Sequence, residues 1–216
     1  MLSSPENPDR QIDRMAGCAS MGLWIWKWVV RLLLVLALMY LAISLFYVLF
    51  WSKWQETSLQ KFRAKVTLRE LRVGLGHCRM EYDKLPIEPH ESRIIRSDGE
   101  LLFSLLGNKT AANPREIRFI DPPVARDGIN NGLVGYYGSG EETPEDISLV
   151  DPWGERYYLM LESTGDNRIP NPERLPGAKG KATQSAPESI PASAIIFSSG
   201  PDKDPKTWDD NLCSWR

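Results

Sequence analysis

The sequence predicts an α+β protein in which one long N-terminal helix, first transmembrane and then amphipathic, packs on a small antiparallel sheet. Three observations carry this. No proline interrupts the chain between Pro8 and Pro86. Apolar residues in the second half of that stretch recur at helical spacing, and the β-favouring runs all come later, separated by Pro, Gly and Asn.

From Leu32 to Trp51 there are twenty residues without a charge, and Ser44 is the only small polar group. Such a helix spans about 30 Å, the thickness of a hydrocarbon core. Trp24, Trp26 and Trp28 precede the run, and Tyr47 and Trp51 close it, where amphipathic rings meet headgroups. Lys27 and Arg31 reach outward along their stems. A secretory signal has a shorter apolar region, of about 7 to 15 residues, and a soluble core helix is rarely apolar all round. The expected organisation is a polar leader at 1–22, a transmembrane helix at 23–51 and a globular domain at 52–216. Basic residues flank the span on both sides, so charge does not set its orientation. Met15-Ala16-Gly17-Cys18 looks like a lipidation box, but polar residues precede it and no lipid anchor is expected.

The remaining stretch of about 165 residues suffices for one domain with a real core. A formal charge of −2 with both signs scattered gives no basic stripe, which argues against nucleic acid as a partner. Of the three cysteines, Cys18 precedes the span. Cys78 and Cys213 either pair in an oxidising compartment or stay as buried thiols.

Past the membrane the helical pattern continues to Lys84. Leu59, Phe62 and Val66, then Leu71, Leu75, Cys78 and Tyr82, fall at spacings of three and four and are expected to form one apolar stripe facing the sheet. Gly74 and Gly76 each weaken the helix by about 1 kcal/mol relative to Ala, so they mark close packing or a bend. Pro86 and Pro89 end it. A short helix is expected at 99–106, capped by Ser97 or Asp98 and ended by Gly107. Strands are expected at 113–121, 155–163, 192–198 and 212–215, with mainly irregular loops at 122–140 and 165–191.

Four phrases then stand in a distinctive order: Glu81-Tyr82-Asp83-Lys84-Leu85-Pro86 at the helix exit, Asp151-Pro152-Trp153-Gly154-Glu155-Arg156-Tyr157-Tyr158 opening a hairpin, Ser198-Ser199-Gly200-Pro201-Asp202 after a strand, and the ending Asp209-Asp210-Asn211-Leu212-Cys213-Ser214-Trp215. In this the chain resembles the major pseudopilins of type II secretion and their type IV pilin-like relatives. In physical terms, the Pro of Asp-Pro-Trp-Gly presets a turn, the Gly permits a positive φ, and the Trp can close one end of the core. The N-terminus departs from the family's pattern. Prepilins are cut after a Gly and carry a Glu five positions later; here the candidate processing site is Gly22 and Leu23, and Lys27 stands where that Glu belongs. The resemblance thus implies the globular fold more directly than a place in a filament.

The acidic cluster Asp202, Asp204, Asp209 and Asp210 supplies hard oxygen ligands on a loop, which suit calcium. A solvated acidic turn is the alternative. The resemblance implies a structural calcium held by Asp202, by Asp209 or Asp210, and by the Ser199 carbonyl. Catalysis is not expected: His77 and His90 belong to no triad or metal spacing, and no nucleophile elbow, P-loop or dinucleotide fingerprint is present. The expectation is a structural subunit of a secretion pseudopilus or related envelope assembly in a bacterial inner membrane, with its N-terminus cytoplasmic, its domain periplasmic, and lipid and other pilin-like subunits as partners. A stand-alone anchored domain that holds an envelope or secreted partner, through the 122–140 loop, is the alternative.

Overall fold

The computed structural model describes residues 8–86, 94–126, 130–135, 143–162 and 164–216. His90 and the Asp127-Gly128 turn lie outside them. Two compact units are present, Met1–Glu56 and Thr57–Arg216, and helix α1 (Pro8–Tyr82) contributes to both.

In the first unit the apolar side chains of α1 have no protein around them. Leu33, Leu36, Leu38, Met39 and Phe46 are all exposed, and among the described positions from 26 to 50 only Val30 and Ser44 are half-buried. The helix is long and apolar enough to cross a membrane. Rings pair one turn apart at both ends of the apolar run, Trp24 with Trp28 at 5.8 Å and Tyr47 with Trp51 at 5.9 Å.

In the second unit the last turns of α1 bury Ala64, Leu68, Leu71, Leu75 and Cys78. They meet Leu101, Leu102 and Leu105 of α2 (Gly99–Leu105) and the inner side chains of the sheet. The expected single stripe is in fact two. Leu59, Phe62 and Val66 are exposed and continue at helical spacing to exposed Val73 and Met80. At about 100° per residue, Phe62 lies about 180° around the helix from Leu71. Both sets satisfy a three-and-four rhythm, so spacing alone joined faces that the fold separates. Gly74 marks close packing: a Cβ there would stand 2.4 Å from Ile120 Cγ2 and 3.0 Å from the Phe119 carbonyl oxygen. Gly76 has nothing within 4 Å.

Residues 113–121 form a pinned loop, where a strand was expected. Asn113 is fully buried and donates to the carbonyls of Ser104 (2.9 Å) and Ile117 (2.8 Å), while its Oδ1 accepts the Tyr82 hydroxyl at 2.7 Å. One side chain thereby ties the helix exit to α2, and the Phe119 and Ile120 amides donate to Leu105. At α2 itself Asp98 occupies the N-cap without a capping bond, since its carboxylate pairs with Arg156. Gly107 follows the helix at φ 95°.

The main sheet is antiparallel, in the order β1 (Ile95–Arg96), β4 (Tyr158–Leu161), β7 (Ala194–Ser198), β8 (Leu212–Cys213). Period-two alternation sends Leu159, Leu161 and Ile196 toward α1. On the opposite face Tyr158 and Phe197 stack at 4.9 Å beneath Trp208. Two short ribbons flank this sheet. β2 (Gly132–Val134) pairs with β3 (Ser148–Val150), so the expected irregular loop at 122–140 contains a strand. β5 (Arg168–Pro170) pairs with β6 (Ser189–Pro191), with α3 (Ala182–Ser185) between them, inside the other expected loop. Ile169 and Ile190 of that ribbon pack on Met160 and Ile195, giving the sheet a second core.

Candidate functional site

The site begins at the Asp-Pro-Trp-Gly turn. Asp151 is fully buried, yet its carboxylate is fully engaged: Oδ1 accepts the N–H groups of Trp153 and Glu155 at 2.9 Å each, and Oδ2 accepts the Ser198 hydroxyl at 2.6 Å. Burial pushes its pKa up, against the pull of those donors. Gly154 takes φ 86° as the turn requires. Trp153 is half-buried and belongs to none of the cores, so the aspartate and not the tryptophan anchors this phrase.

Ser198 Oγ passes the connection on, accepting the Gly200 N–H at 3.1 Å. Gly200 sits at φ 69°, and a Cβ there would stand 2.6 Å from the Asp210 carbonyl oxygen and 3.3 Å from Asp210 Oδ2. Only glycine lets the two ends of the acidic loop approach this closely.

Within the loop the four carboxylates divide by role. Asp202 Oδ1 accepts the Asp204 N–H at 2.9 Å, a side-chain turn. Asp204 accepts the Lys206 N–H at 3.0 Å and meets Lys179 at 3.8 Å; that amide first, and the lysine after it, hold its pKa low. Asp209 turns to a different segment, accepting the Lys181 N–H at 2.8 Å and leaving no room for a Cβ on Gly180. Asp210 is raised by burial and then by the negative charge of Asp202.

The sequence-predicted ligands thus separate. Asp202 and Asp210 feel one another's charge, whereas Asp209 braces residues 180–181. Among the described residues no three His, Cys, Asp or Glu side chains gather as a metal cluster. Three buried oxygens of this region nonetheless have no hydrogen-bond partner: Ser199 Oγ, Asp210 Oδ1 and Asn211 Oδ1. Unmet oxygens on Ser199, Asp210 and Asn211, with Asp202 close enough to act on Asp210, are of the hard type a cation such as calcium takes; the unmet Ser199 atom is its hydroxyl, where the carbonyl was expected. Sequence reasoning overlooked Asn211, because an amide next to two aspartates does not stand out as a ligand.

The other candidates do not converge. Cys78 and Cys213 are both free thiols. Cys78 lies in the core beneath the sheet, while Cys213 pairs in register with Phe197 and packs on the opposite face. Burial raises both thiol pKa values, that of Cys213 to about 12. His77 is exposed on α1. Gly22 and Leu23 are helical positions of α1.

No family model, curated protein or solved structure matches this chain.

Proposed function

We propose that the chain is a pilin-like assembly subunit of the type II secretion pseudopilus kind, anchored in a bacterial inner membrane with its sheet domain in the periplasm. The observation that supports this best is the exposed seam of α1. Leu59, Phe62, Val66, Val73 and Met80 line the side of the helix opposite its own core, with Arg63, Lys65 and Arg69 around them. Exposed apolar side chains repeated along one face call for a covering surface, and a neighbouring subunit's helix meets that need. The anchor is the apolar part of the same helix. A calcium ion held by Asp202, Asp210 and the Ser199 carbonyl would offset carboxylate repulsion and engage Asp210 Oδ1, which the fold leaves unpaired.

Mass analysis of the protein from host membranes, together with lysine-directed cross-linking along the seam, tests this. A mature N-terminus at Leu23 with a ladder of cross-linked oligomers is the expected result. An intact N-terminus with monomers alone would overturn it.

Lys27 favours a second reading, in which the domain is a stand-alone membrane-anchored module that holds an envelope or secreted partner. A cation at this position replaces the acid by which the resembling helices meet a neighbour's amine. The overturning result above is the one this reading expects.

A further inference from the structure

The outer face of the main sheet carries a cavity of about 140 Å³, walled on one side by residues 205–208 of the acidic loop and unrelated to the seam. Tyr158, Phe197 and Trp208 form aromatic walls, and Pro172, Leu175, Pro176 and Pro205 line it from two loops. The walls are fixed by stacking, with Phe197 4.9 Å from Tyr158 and 5.0 Å from Trp208, and the Arg96 guanidinium 3.9 Å over Tyr158. A volume near that of an engineered cavity that takes one benzene, about 150 Å³, admits a single ring. Drug-sized ligands need about 300 Å³ or more.

The polar side chains around this slot share one sense. Lys206 is its charged residue, and Tyr158 brings a hydroxyl that can donate. The Lys206 stem runs over Gly177, with Cδ, Cε and Nζ 3.6 to 3.9 Å from where a Cβ would stand. Among the described residues no carboxylate lines the slot; Asp204, outside the lining, is near enough to feel the Lys206 charge. Charge complementarity therefore selects an acceptor-bearing, anionic ligand with an apolar ring.

We propose that this slot receives an aromatic side chain, flanked by a carboxylate, from a polypeptide partner. Exposed Ile94, Pro176 and Lys206 show that it opens at the surface, so one ring enters while the chain carrying it stays outside. Ring-on-ring contact in a proline-walled pocket gives such an anchor a defined pose. The site is on a different face from the α1 seam and does not depend on polymerisation.

The test titrates the full chain in detergent micelles with a fluorescein-labelled Gly-Gly-Gly-Phe peptide bearing a free carboxylate. The amidated peptide, unlabelled phenylacetate and empty micelles are the comparisons. A saturable anisotropy change is expected with the free acid. Ala178→Phe, which fills the slot, is expected to weaken it by about tenfold or more, and Lys206→Gln to reduce the acid to the level of the amide. Lys206 is exposed, so its replacement tests the site even if Ala178→Phe disturbs folding. Absence of saturable binding, or binding indifferent to both substitutions, would overturn the site. Phenylacetate binding as tightly as the peptide would overturn the polypeptide assignment in favour of a free aromatic acid.

Discussion

The hydroxyl of Ser198 donates to the buried carboxylate of Asp151 at 2.6 Å, joining a turn and a strand that lie 47 residues apart in the chain. The same carboxylate holds the Trp153 and Glu155 amides, and the same hydroxyl holds the Gly200 amide. The hairpin opening and the acidic loop are therefore one hydrogen-bonded structure. Asp151→Ala is expected to cost about 2 to 4 kcal/mol, because several buried donors lose their acceptor at once. Thermal unfolding measures it, and a cost under about 0.5 kcal/mol would refute the network's role.

Asp151 also carries a pH signature. Burial raises its folded pKa above the ordinary aspartate range, so the folded state holds this proton more tightly than the unfolded chain. Its contribution to stability is fully present below the unfolded pKa and is lost as pH rises through the folded one. Wild type minus Asp151→Asn stability should therefore increase on acidification across that interval. A difference that is flat with pH would contradict the shift.

Calcium binding predicts a division among the aspartates. If calcium occupies the Asp202 and Asp210 region, at one hundred times its dissociation constant it adds about 2.7 kcal/mol to stability relative to chelator. Asp202→Ala and Asp210→Ala should remove that increment. Asp209→Ala should retain it while loosening residues 180–181, whose Lys181 amide it holds. Equal stability with calcium and with chelator would reject the site.

Gly200→Ala places a Cβ 2.6 Å from a backbone oxygen at φ 69°. The expected cost is about 2 kcal/mol or more, with faster amide exchange through 199–211. Alanine tolerated without change would show that the loop ends do not approach as described.

The two faces of α1 should respond oppositely. Leu71→Ala removes a side chain that is 1% exposed and is expected to cost about 2 to 5 kcal/mol. Phe62→Glu, at a position 65% exposed, should change domain stability by less than about 0.5 kcal/mol while reducing cross-linked oligomers. Loss of stability at Phe62 would place it in the core after all.

By itself the sequence determined the elements whose cause is local. Absence of proline and continuous apolarity gave the long helix; β-branched and aromatic runs located β4, β7 and β8 to within a few residues; Gly107 and Gly154 took the positive φ their turns demand. The acidic loop was visible as a cluster, since charge density needs no fold to be seen. Tertiary structure alone decided what depends on distant partners. It split one apparent stripe of α1 into a buried and an exposed face, because a periodicity of 3.6 specifies spacing but not which side the sheet will cover. It turned residues 113–121 from a strand into a loop by giving Asn113 partners on both helices. It put Cys78 and Cys213 on opposite faces of the sheet and separated Asp209 from Asp210, which are adjacent in sequence. Adjacent side chains in a turn point to different neighbours, and only packing across the whole domain chooses those neighbours.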